Sequence, residues 1–142
     1  MKAVAIIPAR AGSTRLPKKN RKKLLGTSLI EWSINFAKKL KFLDDIIVTT
    51  NDKVILKNIK KNKSTVKTII RPQVLSGKRT KMEDVIFHAL RKYEKKFGKI
   101  STILLLQPTS PIRSVKKIYY GYKKYNYYKK KKSVISVSNT NF

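Results

Sequence analysis

The sequence predicts an α/β fold, a mostly parallel sheet with helices on both faces. Apolar, often β-branched runs recur at residues 3–8, 46–50, 66–70, 102–106 and 134–138, each short enough for one strand. The stretches between them carry helical spacing, and strand–helix alternation implies right-handed crossovers and a parallel sheet. Arg10, Asp52, Arg71 and Gln107 each stand just after one of these runs. In an open α/β sheet that is the ligand edge.

Residues 3–8 form a short apolar strand stopped by Pro8. Residues 10–26, with Gly12, Pro17 and Gly26 among many cations, predict a loop. Ser28 is placed to cap a helix whose apolar positions are Ile30, Ile34 and Ala37, with Trp32 packed or half-packed on it. Residues 46–50 make a β-branched strand, and Asn51 or Asp52 then caps a short helix carrying Ile55 and Ile59. Residues 66–70 are a third strand, closed by Pro72. Met82, Val85, Ile86, Ala89, Leu90 and Tyr93 follow the i, i+3, i+4, i+7 spacing of a helix buried along one face. His88 lies beside that stripe and is expected to be structural. Residues 102–106 are apolar throughout, which predicts a strand buried on both faces. A helix near residues 115–125 and a fifth strand at 134–138 complete the pattern.

Composition narrows the function. The 142 residues are 41% hydrophobic, enough for one core. There is no cysteine, so thiolate metal ligands, a thiol nucleophile and disulfides are all excluded. The apolar start at residues 3–9 is too short and too interrupted for a signal peptide, and no stretch reaches the roughly 18 apolar residues of a membrane span. The expectation is a soluble, cytoplasmic chain with no membrane partner. Lys and Arg number 35 against 7 Asp and Glu, a formal charge of +28. Such a field attracts polyanions, although lysines spread over nearly every segment also describe a solvated surface.

The densest chemistry lies in residues 10–20, RAGSTRLPKKN. Gly12 offers a tight turn and close backbone approach, and successive backbone N–H groups there can nest an anion. Arg10 and Arg15 suit bidentate phosphate contacts, and Lys19 is a compact point charge. The loop has neither the spacing of a Walker A motif nor that of a dinucleotide-binding turn. On residue chemistry alone it is a phosphate cradle or a basic surface loop.

Residues 7–20, IPARAGSTRLPKKN, resemble the opening signature of the acylneuraminate cytidylyltransferases, the CMP-sialic acid synthetases. Further blocks match in the same order: Leu25-Gly26, Leu29-Ile30, IVTTND at 47–52, IRP at 70–72 and LLQPTSPIR at 105–113. SVISVS at 133–138 is similar to the family's next strand. The resemblance covers essentially the whole chain. The related 3-deoxy-manno-octulosonate enzymes share an STRLP form of the first loop, whereas the block at 107–113 favours the sialic acid branch.

The resemblance implies a Rossmann-like fold of the nucleotide-diphospho-sugar transferase type, with residues 1–142 as a single nucleotidyltransferase domain, incomplete at its C-terminus. It implies transfer of CMP from CTP to a sialic-acid-like nonulosonic acid, with pyrophosphate leaving. Arg10, Ser13 and Lys19 would meet the triphosphate of CTP, supported by Gly12 and Arg15. Asn20 would hold the ribose, Arg71 the cytosine edge and Gln107 the sugar acid. Lys19 and Arg10 would stabilise charge in the transition state. Mg²⁺ is expected as cofactor, with its ligands in the missing C-terminal part and none among residues 1–142; a homodimer is expected for full-length members. The chain departs from the family pattern at Thr14, a lysine in many members, at Lys78, usually aspartate, and at Met82, often serine. Turnover by residues 1–142 alone is not expected.

A rival reading rests on residues 115–132, with eight lysines, six tyrosines and no acid. Lysines interleaved with aromatics suit single-stranded nucleic acid. Against it, Val115, Ile118, Tyr122 and Tyr125 share one helical stripe, as in an ordinary packed helix, and no nucleic-acid-binding signature is present. Nucleic acid is therefore the less favoured partner.

Overall fold

Strand β1, Lys2–Pro8, is the centre of the sheet, and Val4, Ala5, Ile6 and Ile7 on it are wholly buried. The structure, a computed structural model, describes residues 1–62, 65–129 and 131–137. Burial on both faces is what an apolar run without alternation requires; helices cover the faces, and parallel strands pair with both edges. Strand β4, Asp45–Thr50, pairs with β1 from Val4↔Asp45 to Pro8↔Thr49. Strand β6, Ile100–Leu105, lies on the other side, with Ala3 opposite Thr102 and Ile6 opposite Leu105. Strand β5, Lys67–Ile70, is parallel to β4, which gives the order β5-β4-β1-β6. The short strands β2, Lys23–Leu24, and β3, Thr27–Ser28, form a separate antiparallel hairpin.

This order fixes the layers. Helix α1, Leu29–Lys38, connects β1 to β4, and α2, Lys53–Lys61, connects β4 to β5. Both steps move across the sheet in one direction, so right-handed crossovers put both helices on one face. Helix α3, Met82–Phe97, runs from β5 back past β4 and β1 to β6, which puts it on the other face. There Ala89 and Tyr93 join Val4, Ile6, Ile47 and Ile69 in the core, flanked by Ile86, Leu90, Ile100 and Leu105. The helical stripe expected from spacing is thus the one that is buried.

The amino edge of the sheet is fastened by polar groups. The Ala3 N–H donates to Asp44 Oδ2 at 2.7 Å, and Lys2 Nζ lies 3.1 Å from Asp45 Oδ2. The Tyr93 hydroxyl also donates to Asp45 Oδ2.

The chain forms two compact units, Met1–Ile112 and Arg113–Phe142. The second contains α4, Val115–Tyr127, capped by the Ser114 side chain, which accepts from Lys117 N at 3.3 Å. Val115, Ile118, Tyr122 and Tyr125 are half-buried, the stripe that their spacing predicts.

Three expectations are corrected. Residues 134–137 form no strand, because a strand needs a hydrogen-bonded neighbour and they have none among the described residues; Ser138, the last of that expected strand, lies outside them. Strand β6 is not covered on both faces: it is an edge strand of the described sheet, and Ile103 is 39% exposed. Residues 10–26 are not all loop. They include a 3-10 helix, Lys19–Arg21, and the start of the hairpin, whose two-residue turn has Leu25 at φ 51° and Gly26 at φ 80°. A primed hairpin turn needs positive φ at both central positions.

Candidate functional site

The carboxyl ends of the parallel strands bring three loops together, and the first is tethered at both ends. The chain leaves β1 with the Ala9 N–H donating to Thr49 O at 3.0 Å. One residue beyond Arg10, the Ala11 N–H donates to Asn51 Oδ1 at 2.8 Å. At the far end, Asn20 is 8% exposed and its Nδ2 donates to Arg10 O at 3.0 Å. Arg21 Nε then lies 3.0 Å from Asp52 Oδ2. Lys18 makes the turn into the 3-10 helix in a left-handed conformation, at φ 54°.

The far wall of these tethers is the β4–α2 junction. Thr50 is fully buried; its hydroxyl donates to Ala9 O and accepts from Asp52 N at 3.0 Å. Asp52, 5% exposed, caps α2 by accepting from Val54 N at 2.9 Å and Ile55 N at 3.4 Å through Oδ1. The choice between Asn51 and Asp52 as cap therefore falls on Asp52, and Asn51 instead holds the loop.

The β5 end supplies the second loop. The Arg71 N–H donates to Thr50 O at 2.9 Å, and Arg71 Nε donates to Leu75 O at 2.6 Å. Arg10 Nη1 donates to Gly77 O at 3.0 Å. Two guanidiniums thus grip carbonyls two residues apart on one segment, itself closed by Ser76 Oγ donating to Pro72 O at 2.9 Å. Arg71 is 5% exposed, and burial, followed by the nearby Arg10 charge, lowers its pKa from the usual arginine value. Two like charges near each other, one of them desolvated, favour a bound anion. The third loop follows β6, where Leu106 N donates to Ile6 O at 2.9 Å. Gln107 after it is exposed, and its carbonyl accepts from Ser110 N at 3.1 Å.

Arg10, Arg71 and Asn20 are therefore joined by one network, and Gln107 stands on the neighbouring strand end. Ser13 and Lys19 are half-buried and Arg15 is exposed on the tethered loop. None of these three forms a side-chain hydrogen bond or ion pair among the described residues. Gly12 is corrected in one respect. Its φ is one that any residue adopts, and a Cβ there would meet nothing within 4 Å, so the loop's own path does not require glycine. Sequence reasoning missed Asn51 as an anchor and the Arg21–Asp52 pair. The Asn-Asp dipeptide directly after a strand was the available signal.

The carboxylates do not assemble a metal site. No group of three or more His, Asp and Glu side chains suited to a metal occurs among the described residues. Asp52 uses one oxygen in the helix cap and the other with Arg21. Glu31 closes a capping box with Ser28, whose hydrogen bonds lower its pKa. Asp44 and Asp45 are held at the opposite edge of the sheet. No helix among the described residues is long and apolar enough to cross a membrane.

Comparison with known proteins agrees with this geometry. Residues 4–141 match the family model for cytidylyltransferases. The chain is 33% identical over 138 residues to the CMP-N,N'-diacetyllegionaminic acid synthase of Legionella pneumophila, covering 97% of this chain and 58% of that protein. It is 32% identical over 143 residues to the N-acylneuraminate cytidylyltransferase of Escherichia coli, covering 99% of this chain and 32% of the relative. The chain thus spans about a third to somewhat over half of these relatives. In fold it resembles CMP:2-keto-3-deoxy-manno-octonic acid synthetase, solved in complex with CTP, at a TM-score of 0.71 and 20% identity over 89% of this chain and 48% of the other. A parallel sheet with its cations tethered at the carboxyl edge, and a family match across nearly its whole length, establish that the chain belongs to the cytidylyltransferase family.

Proposed function

We propose that this chain binds CTP and serves transfer of its CMP group to a nonulosonic sugar acid of the sialic or legionaminic kind. The anomeric hydroxyl oxygen would bond to the α-phosphorus as the bond to the β-phosphate bridging oxygen breaks. Pyrophosphate would leave, and the hydroxyl proton would pass to solvent. Such a transfer depends on positioning and charge stabilisation, with no covalent nucleophile from the protein. The observation that carries the reading is the doubly tethered loop, with Arg10 and Arg71 gripping one facing segment.

Within this reading Arg10, Ser13, Arg15 and Lys19, with the backbone at Gly12, receive the triphosphate, and Lys19 and Arg10 stabilise the developing charge. Arg71 has Nε committed to Leu75, which leaves its terminal nitrogens for the cytosine edge. Asn20 has Nδ2 committed to the loop, which leaves Oδ1 for a ribose hydroxyl. Gln107 meets the sugar acid. Mg²⁺ is the cation expected for a triphosphate, but the described carboxylates do not fit it, and no step here is assigned to a metal. The reading also carries a homodimer for the intact enzyme and a cytoplasmic location, where CTP is available. Titration calorimetry with CTP, UTP and ATP tests it. A pocket that hydrogen-bonds the base can prefer the right one by up to ~10⁴. Equal affinity for all three nucleotides would remove the proposal.

A further inference from the structure

Two clefts run end to end beside α3, sharing Leu75 and Asp84 in their linings. The first, about 600 Å³, carries Lys78, Arg79 and Lys81. The second, about 790 Å³, carries Arg91, Lys92, Lys95 and Lys99 together with Phe87 and His88. Seven cations thus face two acids, Asp84 and Glu94. Glu94 is already engaged, accepting from Ile100 N at 2.9 Å and lying 3.7 Å from Lys99 Nζ. Arg91, Lys92 and Lys95 are exposed and make no ion pair among the described residues. Phe87 stands in the midst of them, 60% exposed. An aromatic ring left in water among unpaired cations has no role in the core, which α3 builds from its opposite face.

We infer that this trench binds single-stranded nucleic acid, with phosphates on Arg91, Lys92 and Lys95 and a base stacked on Phe87. The chemistry is that of sequence-tolerant single-strand sites, a cationic groove tracking the backbone with an aromatic platform for bases. A helix of 16 residues is about 24 Å long, room for about four nucleotides, the lower end of such site sizes. A membrane-binding helix would instead present a broad apolar face, and here one ring is surrounded by cations. The residues assigned to the strand, Phe87, Arg91, Lys92 and Lys95, are not among those proposed for CTP, although the first cleft borders that site at Leu75 and Gly77. It also lies on a different helix from the lysine–tyrosine segment that first suggested nucleic acid.

The test is fluorescence anisotropy of a fluorescein-labelled 15-nucleotide RNA titrated with the protein between 50 and 200 mM NaCl. Arg91→Gln, Lys92→Gln and Lys95→Gln combined should weaken binding by about tenfold or more. The salt slope should fall by about 2, at roughly 0.7 per phosphate contact. Phe87→Ala, which removes no charge, should weaken it about fivefold or more, the low end for one stacked base. The control, Lys53→Gln with Lys57→Gln and Lys60→Gln on α2, removes the same charge from exposed lysines and should change affinity by about twofold or less. Circular dichroism checks that each variant is folded; if the triple is not, Phe87→Ala and Lys95→Gln alone decide. Equal losses from the two triples would overturn the inference in favour of diffuse charge. An inert Phe87→Ala, or trench-dependent capture of phosphatidylserine vesicles without RNA binding, would overturn it as well. CTP calorimetry on the same variants keeps the two proposals separable.

Discussion

Replacing Asp52 separates the two duties of one carboxylate. Asp52→Ala removes the cap of α2, worth about 1 kcal/mol. It also removes a negative charge from a helix N-terminus, worth about 0.3–1 kcal/mol. Finally it strips Arg21 of its partner, about 1 kcal/mol for a pair whose side chains are 31% and 5% exposed. The expected loss is about 2–3 kcal/mol in a urea melt. Asp52→Asn keeps an amide oxygen able to cap and loses only the charge, so about 1–2 kcal/mol is expected. A double-mutant cycle with Arg21→Ala should isolate a coupling of about 1 kcal/mol. Because the same pair holds the far end of the tethered loop, both variants should also weaken CTP binding under conditions where they remain folded. If Asn costs as much as Ala, the cap is irrelevant. If both cost under about 0.5 kcal/mol, the tether is not a structural element and the reasoning fails.

Lys19→Ala should weaken CTP binding by about tenfold or more, against little change for the equally charged Lys60→Ala, an exposed residue of α2; similar losses in calorimetry would mean that only bulk charge matters. Tyr93→Phe should cost about 1 kcal/mol and alter the acid limb of a stability–pH curve. Burial raises the Asp45 pKa, but hydrogen bonds from Tyr93 and Lys2 outweigh it and hold the group below its ordinary value. The unfolded chain therefore binds that proton more tightly. The stability from Asp45 is present above about pH 3.9 and lost as pH falls through the lower folded value. Without the Tyr93 hydroxyl this acid-side loss should shrink, and an unchanged limb would refute the assignment. Leu25→Asn should stabilise by up to about 1 kcal/mol, since Leu25 is 84% exposed and sits at positive φ where asparagine is at ease; a lower melting temperature would count against the turn geometry.

Strand positions were legible because the runs that build β1, β4, β5 and β6 are apolar and bounded by turn residues, and because Val85, Ala89 and Tyr93 repeat at helical spacing. Whether a strand is central or at an edge was not legible. Residues 102–106 are as apolar as residues 3–8, yet Ile103 is exposed, because strand order depends on crossovers that no local pattern records. The hairpin around Leu25-Gly26 escaped notice since its strands are two residues each, too short for any periodicity. At the site, Arg10 and Arg71 were picked out from their types and their places after strands, and Asn20 from the family resemblance. Their partners were not, because Asn51, Leu75 and Gly77 are brought within reach only by the sheet. Arg21 and Asp52, 31 residues apart by their numbers, are a pair for the same reason.

The placement of β1 has a consequence for how the chain comes to be folded. Strand β1, deeply buried at Val4, Ala5, Ile6 and Ile7, is synthesised before either of its neighbours. Its β4 partner begins at Asp45, and its other edge is completed only by Ile100–Leu105. At ribosomal speeds of 5–20 residues per second, about 5–20 s separate synthesis of β1 from that of its second neighbour. Throughout that interval a strand with two open edges must be shielded by the ribosome, by chaperones or by transient collapse. The sheet then closes through contacts almost 100 residues apart, the kind that fold slowly and expose the chain to aggregation. Translation rate and chaperone supply, rather than final stability, should therefore govern how much of this protein is recovered folded.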